Sequence, residues 1–371
     1  MKILRIEPIP IEVPLKKGLT AKTAHGEHVT SPYVIVRVHT DEGLVGLGEA
    51  TISALWSGET QAGAVAALKQ YVAPVVVGLD PRDITAVRRA MDFKIKLNPF
   101  LKAAVEMACW DIAGKALGLP VYQLLGGKVR DRIRIKLVLW ATEIPLVLAM
   151  AEQFLAQGVT CLKVKTGLGV DGDIARVKAV RDFAGPDLPI TIDSNTGWTV
   201  AQARHCLRHL AEVRLLLAEQ PIPPGDPEAL ADVRRDAPCP IMADESVFTL
   251  TDAWQVASHR AADILSVYPG KHGGIQATTE IVAVAKAAGL RCAIGSNLEL
   301  GIGTAAMLHL AAALPEIDSD SYPADTIGPI YHDGDLITTP LDLGPPAALV
   351  PSGPGLGVEL DEEQVRRWRV G

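Results

Sequence analysis

The polar and apolar positions of this chain fall into two regimes. The first begins with β-type patterning: ILRIEPIPIEV, SPYVIVRVHT and LVGLGEA read as strands, the last two joined by the turn Asp41-Glu42-Gly43. Apolar residues then recur at helical spacing from Glu59 to Val77 and from Pro99 to Leu117, with Gly118 as a stop. Strands followed by helices predict a separate α+β domain over residues 1–125.

From Ile133 onward strands and helices alternate. IRIKLVLWA, CLKVKTG, PITIDSN, LLLAEQP, IMADES, ILSVYPG and RCAIGSN are short β-type runs, and EIDSDSY is a weaker eighth. Between them lie helical segments such as DIARVKAVRDFAG and ATTEIVAVAKAAG. So many uninterrupted βα units predict an α/β barrel over residues 126–325 rather than a doubly wound sheet. Residues 326–371, with PSGPGLG and a final short helix, are too polar for a further unit and read as a segment returning to the first domain.

Composition narrows the partners. The 371 residues are 48% hydrophobic and 21% charged, and the formal net charge of -7 without a basic block argues against nucleic acid. No apolar run approaches the roughly 18 residues of a membrane span. The N-terminus, broken by Pro8, Pro10 and Pro14, reads as a strand rather than a signal segment, so a cytoplasmic protein is expected. Cys109, Cys161, Cys206, Cys239 and Cys292 form no CxxC pair and read as free thiols in apolar surroundings.

Three predicted strands end in acids: Asp193 closes PITIDSN, Glu219 closes LLLAEQP and Asp244 closes IMADES. Their spacings of 26 and 25 residues are close to one barrel unit of about 30, which puts three carboxylates at one level of the C-terminal mouth. Any one of them alone reads as a helix cap. Three in phase repel one another unless a cation is present, and an all-oxygen set suits Mg²⁺ or equally Mn²⁺. One strand earlier, Lys163 and Lys165 stand at i and i+2, so both point into the lumen. A lysine there, partly desolvated, is expected to titrate lower and to serve as a general base. A divalent cation would stabilise the enediolate formed when the proton beside a carboxylate is removed. Tyr268 and Lys271 follow the sixth strand; Ser296, Asn297 and Glu299 follow the seventh. Glu299 is suited to hydrogen-bond or protonate an intermediate, and equally to an ordinary cap.

Gly167-Leu168-Gly169-Val170-Asp171-Gly172 is a literal GxGxxG, which raises an NAD-dependent oxidoreductase as a reading of a different class. Asp171 and Asp173 would bring negative charge to a pyrophosphate, so a plain βα loop accounts for it better. His205 and His209 lie four apart on a helix but lack a third ligand.

Together, DEGLVGLGEA, AVEMACWDIAGKALGLPVYQLLGG, KVKTG, IDSNTGW, LAEQPI, IMADES, KHGGI, LELGIGT and PGLGVELDEEQV resemble the enolase superfamily, specifically its muconate-lactonizing (mandelate racemase/muconate lactonizing enzyme) subgroup. The resemblance implies a (β/α)7β TIM-like barrel with an α+β capping domain. It implies metal ligands at Asp193, Glu219 and Asp244, and a catalytic Lys165 with Lys163 beside it. It also implies that cap loops around Leu19–Thr30 and Thr51–Ser57 close over the substrate. Asn195 and Glu299 match the subgroup pattern. The subgroup usually carries a second catalytic lysine five residues before the paired glycines, where this chain has Tyr268; Lys271 comes three residues later.

A racemase needs a base on each face of the enediolate, whereas cycloisomerization or syn elimination needs one. The expectation is therefore a metal-dependent, muconate cycloisomerase-like isomerase acting on a small carboxylate. Dehydration of a sugar acid or hydroxyproline, and amino-acid racemization or dipeptide epimerization, are the alternatives. Asn195, Lys271, Ser296 and Asn297 are the substrate-binding candidates, with Tyr268 and Glu299 as further catalytic ones. Lys16, Lys17, Lys22, His25 and His28 in the cap loop would suit a dianion. A homo-oligomer is expected, since such barrels commonly assemble symmetrically.

Overall fold

The computed structural model describes residues 1–371. Strand β1 (Ile3–Pro14) pairs antiparallel with β4 (Thr30–Thr40), which pairs with β5 (Val45–Thr51). Between β1 and β4 a short hairpin of β2 (Ala21–Thr23) and β3 (Gly26–His28) projects from the sheet. The helix Pro99–Leu117 packs against β5. Gly46 and Gly48 allow this close approach, since a Cβ on Gly48 would sit 1.7 Å from the carbonyl oxygen of Ala104. This helix is apolar nearly all round, and all but a few of its residues are buried, as expected for a helix covered on every side.

Seven parallel strands follow: β7 (Leu137–Leu139), β8 (Leu162–Lys165), β9 (Ile190–Asp193), β10 (Leu217–Glu219), β11 (Ile241–Ala243), β12 (Ile264–Val267) and β13 (Arg291–Ile294). They pair in chain order, each with the next. The ring closes through EIDSDSY and the residues just after it, where Cys292 bridges Ile317 and Ile135 bridges Ala324. The fold is the expected TIM-like barrel with a capping domain, its eighth strand reduced to bridges.

The first barrel strand is shorter than its sequence pattern. IRIKLVLWA divides: β6 (Arg132–Arg134) turns outward to pair antiparallel with β14 (Ala347–Leu349), and only Leu137–Leu139 enters the barrel. The C-terminal residues run back over the cap. Arg369 bridges Ile11, and the Arg37 guanidinium lies 2.5 Å from Glu362 on the last helix, Glu362–Trp368. All five cysteines are free thiols. No helix is long and apolar enough to cross a membrane.

Candidate active site

Parallel register sets the site. Lys165, Asp193 and Glu219 are Cα partners across β8, β9 and β10, and Asp244 lies just past β11. Because alternate residues share a face, Lys163 points the same way as Lys165. All five side chains are buried. The turns that end these strands are strained: Asn195 has φ 40° and Gln220 has φ 34°, both left-handed at non-glycine residues. Side chains hold the turns in place. Asn195 N–H donates to Asp193 Oδ1, and Gln220 Oε1 accepts from the backbone N–H of Asp244 and Ser246.

Charges alternate through the cluster. Lys163 Nζ lies 3.2 Å from Asp193 Oδ2, 2.6 Å from Glu219 Oε2 and 2.7 Å from Asp325 Oδ2. Lys165 Nζ donates to Asp193 Oδ2 at 2.6 Å and to Asn195 Oδ1 at 2.7 Å. Lys136 joins from behind, 3.2 Å from Asp325 Oδ2. Sequence reasoning missed Asp325 and Lys136. The signal for Asp325 was its place directly after the faint eighth strand.

Burial opposes ionisation of Asp193, but the ammonium groups of Lys165 and Lys163 outweigh it and hold the carboxyl well below its usual range. Burial, then the Asp193 charge, pushes Glu219 up to about 8. Lys163 departs from the expected lowering: burial pulls it down, but Asp325, Glu219 and Asp193 hold it well above an ordinary lysine.

A cavity of about 110 Å³ opens onto these groups. Lys163, Lys165, Asp193, Asn195, Glu219, Asp244, Ser296 and Asn297 all line it. The cap contributes Ala21, Thr23, His25 and His28 from the hairpin and Ser53 and Trp56 from the loop after β5. His25 Nε2 lies 3.1 Å from Glu245 Oε1, which joins the hairpin to the barrel rim. Three cationic candidates of the cap stay away from the cavity. Lys16 donates to the Ile330 carbonyl, Lys22 pairs with Glu27, and Lys17 is not on the wall. Lys16 and Lys17 are exposed and Lys22 alternates with the wall residues Ala21 and Thr23 on β2, so only the two histidines reach the cavity.

Three other candidates lie outside the cavity wall. Lys271 is fully buried behind Asp244, and its ammonium donates to Asp244 Oδ1 (2.5 Å), the Asp244 carbonyl (2.9 Å) and the Ser266 carbonyl (2.8 Å). With three protein acceptors it has no donor left for a substrate. The Tyr268 hydroxyl is buried without a hydrogen-bond partner. Burial, then the Asp244 charge, holds it well above an ordinary phenol. The Glu299 carboxylate accepts from Ser296 Oγ at 2.6 Å and from the Asn297 N–H, and burial raises its pKa.

The carboxylates fit a hard divalent ion in kind. They are oxygen donors on adjacent strands, and Glu219 Oε2 is buried without a well-directed hydrogen bond. No three of them converge tightly as they stand, because the lysine ammonium groups lie between them. Holding an ion requires them to turn from the lysines to a common centre. The GxGxxG loop is closed to a pyrophosphate: its Gly167 and Gly169 N–H groups both donate to Asp173 Oδ2.

Comparison with known proteins agrees with this architecture. The N-terminal domain family of mandelate racemase / muconate lactonizing enzyme matches residues 7–126, and the enolase C-terminal domain-like family matches residues 146–364. Muconate cycloisomerase 1 of Rhodococcus opacus is 34% identical, over 99% of this chain and 98% of that protein. N-succinyl-L-Arg/Lys racemase of Bacillus cereus is 31% identical, over 100% and 98%. A solved dipeptide epimerase from Enterococcus faecalis, complexed with Mg and the dipeptide L-Leu-L-Tyr, superposes with a TM-score of 0.92 at 32% identity, over 97% of this chain and 100% of that one.

Proposed function

The chain belongs to the mandelate racemase / muconate lactonizing enzyme family of the enolase superfamily, and from that premise we propose that it is a one-base enzyme. In this reading Lys165 removes the proton beside the carboxylate of a small acid, and the reaction is of the cycloisomerizing, lactone-forming type. Its relatives include cycloisomerases as well as a racemase and dipeptide epimerases, so family membership alone leaves these open.

The observation that carries the reading is the inequality of the two candidate base positions. Lys165 lines the cavity, while the sixth-strand position holds a phenol outside its wall, and the only lysine near that position is bonded to Asp244. A phenol held well above its usual pKa stays protonated, so Tyr268 is a hydrogen-bond donor and a poor base. Racemization and epimerization are therefore disfavoured.

Asp193, Glu219 and Asp244 would hold the ion, as Mg²⁺ or Mn²⁺. When bound, it supplies positive charge to the carboxylate as it becomes an enediolate. Once Asp193 and Glu219 turn from it to the ion, Lys163 would have donors free to orient and neutralise the same carboxylate, and Asn195 holds the Lys165 ammonium. Ser296 and Asn297 form the wall beside Glu299.

Dehydration by syn elimination is the second reading, and the missing cap lysines favour it. A dicarboxylate such as muconate meets only His25 and His28 at the cap side, and burial lowers the His28 pKa. A monocarboxylate with a hydroxyl on the next carbon has no second charge to satisfy. The test is a screen with Mg²⁺ of muconolactone, sugar acids and 3-hydroxyprolines for α-proton exchange in deuterated solvent and for product. Lactone opening or water loss supports one-base chemistry. Equal exchange of both enantiomers of one acid ends it.

A further inference from the structure

Two indoles on the cavity wall carry an N–H without a hydrogen-bond partner, Trp56 on the cap and Trp140 on the barrel, and Trp140 is the one beside the base. Its Nε1–H is buried and has no hydrogen-bond partner. Buried indole N–H groups usually find an acceptor, and an indole can donate but not accept. Ser296 Oγ donates to Glu299, Asn297 Nδ2 to the Thr51 carbonyl, and Asn195 Nδ2 to Glu245. Trp140 and, from the cap, Trp56 instead keep an unused N–H donor, and of the two Trp140 is the one set in the barrel.

Register places it beside the base. Val138 pairs with Lys163 and Leu139 with Val164, so Trp140, one residue on, falls alongside Lys165. Val138 and Trp140 both line the cavity, as alternation from Lys163 to Lys165 requires. The ring is fixed edge-on against Tyr331, with centroids 5.4 Å apart, and the Tyr331 hydroxyl is tied to the backbone of Val138.

We infer that Trp140 is a specificity-determining donor, whose Nε1–H binds an oxygen on the substrate carbon next to the one that Lys165 deprotonates. The inference rests on the one-base reading and sharpens it: the substrate class is a small carboxylic acid with an oxygen at the β carbon. Both proposed reactions share that oxygen. The α C–H bond breaks and its proton passes to Lys165 Nζ. The electron pair forms the double bond between the α and β carbons, and the β carbon–oxygen bond breaks with its pair on oxygen. In a lactone the oxygen leaves as a carboxylate. In a hydroxy acid it takes the proton back from Lys165 and leaves as water. Trp140 shares the charge growing on that oxygen and keeps its own proton. A donor on the side of the base suits departure of proton and oxygen from one face.

The test compares oxygenated acids with partners lacking the oxygen: muconolactone against (4-oxocyclopent-2-en-1-yl)acetate, and 3-hydroxyproline against proline, each with Mg²⁺. The expected result is that the wild-type enzyme binds at least one oxygenated member tenfold or more better than its partner. Trp140→Phe should abolish that preference while binding the partner acid unchanged. A preference that persists in Trp140→Phe, or no preference in the wild type, overturns the inference. Should Trp140→Phe fail to fold, ¹⁵N-indole spectra of the wild type decide: the oxygenated acid must shift one indole N–H downfield, and that signal must survive in Trp56→Phe. No such shift overturns the inference. Failure of the one-base reading looks different, as exchange of an α-proton that persists in Lys165→Ala.

Discussion

The ammonium of Lys271 reaches back from the turn after the sixth strand to Asp244, 2.5 Å from its Oδ1. That bond turns the one lysine near the expected second-base position into a support for a proposed metal ligand. Both groups are buried, so removing the cation alone leaves a carboxylate unpaired. Lys271→Met should cost about 3 kcal/mol or more in denaturant unfolding without metal. Saturating Mg²⁺ should recover part of that loss, because a bound ion compensates Asp244. An equal loss with and without Mg²⁺ would show that Asp244 is not a ligand.

Metal binding itself should appear in melting curves. A ligand at 100 times its dissociation constant stabilises the folded state by about 2.7 kcal/mol. Mg²⁺ or Mn²⁺ should therefore raise the melting temperature of the wild type by about 3 °C relative to EDTA, since a chain of this length shifts by roughly 1–2 °C per kcal/mol. Glu219→Gln should abolish most of the shift, whereas Asp173→Asn, in the loop that resembles a nucleotide site, should retain it.

Tyr268→Phe separates a structural from a chemical role. The hydroxyl has no partner, so its removal should leave stability unchanged or raise it by up to about 1 kcal/mol. If the phenol donates to the reacting substrate, turnover should fall by about 10²-fold while α-proton exchange by Lys165 continues. Equal falls in exchange and turnover would remove Tyr268 from the later step.

Two cap carboxylates predict a pH dependence of stability. Glu49 accepts from the N–H groups of Leu300 and Gly303, and Glu106 from those of Ile275 and Gln276. Burial raises Glu49 to about 8 and Glu106 to about 7. An unfolded carboxyl ionises near pH 4.5, so between that value and 7 to 8 the folded state binds more protons and stability falls as pH rises. The melting temperature should drop by on the order of 5 °C from pH 5 to 8, and Glu49→Gln should flatten part of that slope.

Much of the barrel was legible because parallel strands impose a repeat. Acids 26 and 25 residues apart at strand ends leave few arrangements, and the structure sets Asp193 beside Glu219. What stayed hidden was long-range or directional. IRIKLVLWA reads as one strand, and only its pairing with Ala347–Leu349 reveals that it divides. Counting from paired glycines located Tyr268, but the reach of Lys271 depends on the turn Pro269–His272, which carries it back under Asp244. Asp325 follows the weakly patterned eighth strand and Lys136 lies in the first, and the two become neighbours only when the barrel closes.

The most direct measurement of the central claim is stereochemical. An acid that the enzyme accepts is incubated with Mg²⁺ in deuterated water, and α-deuterium is followed by NMR for each enantiomer separately. One-base chemistry at Lys165 predicts incorporation with retention into one enantiomer only, lost by about 10²-fold or more in Lys165→Ala. Incorporation into both enantiomers at similar rates, with racemization, would contradict it.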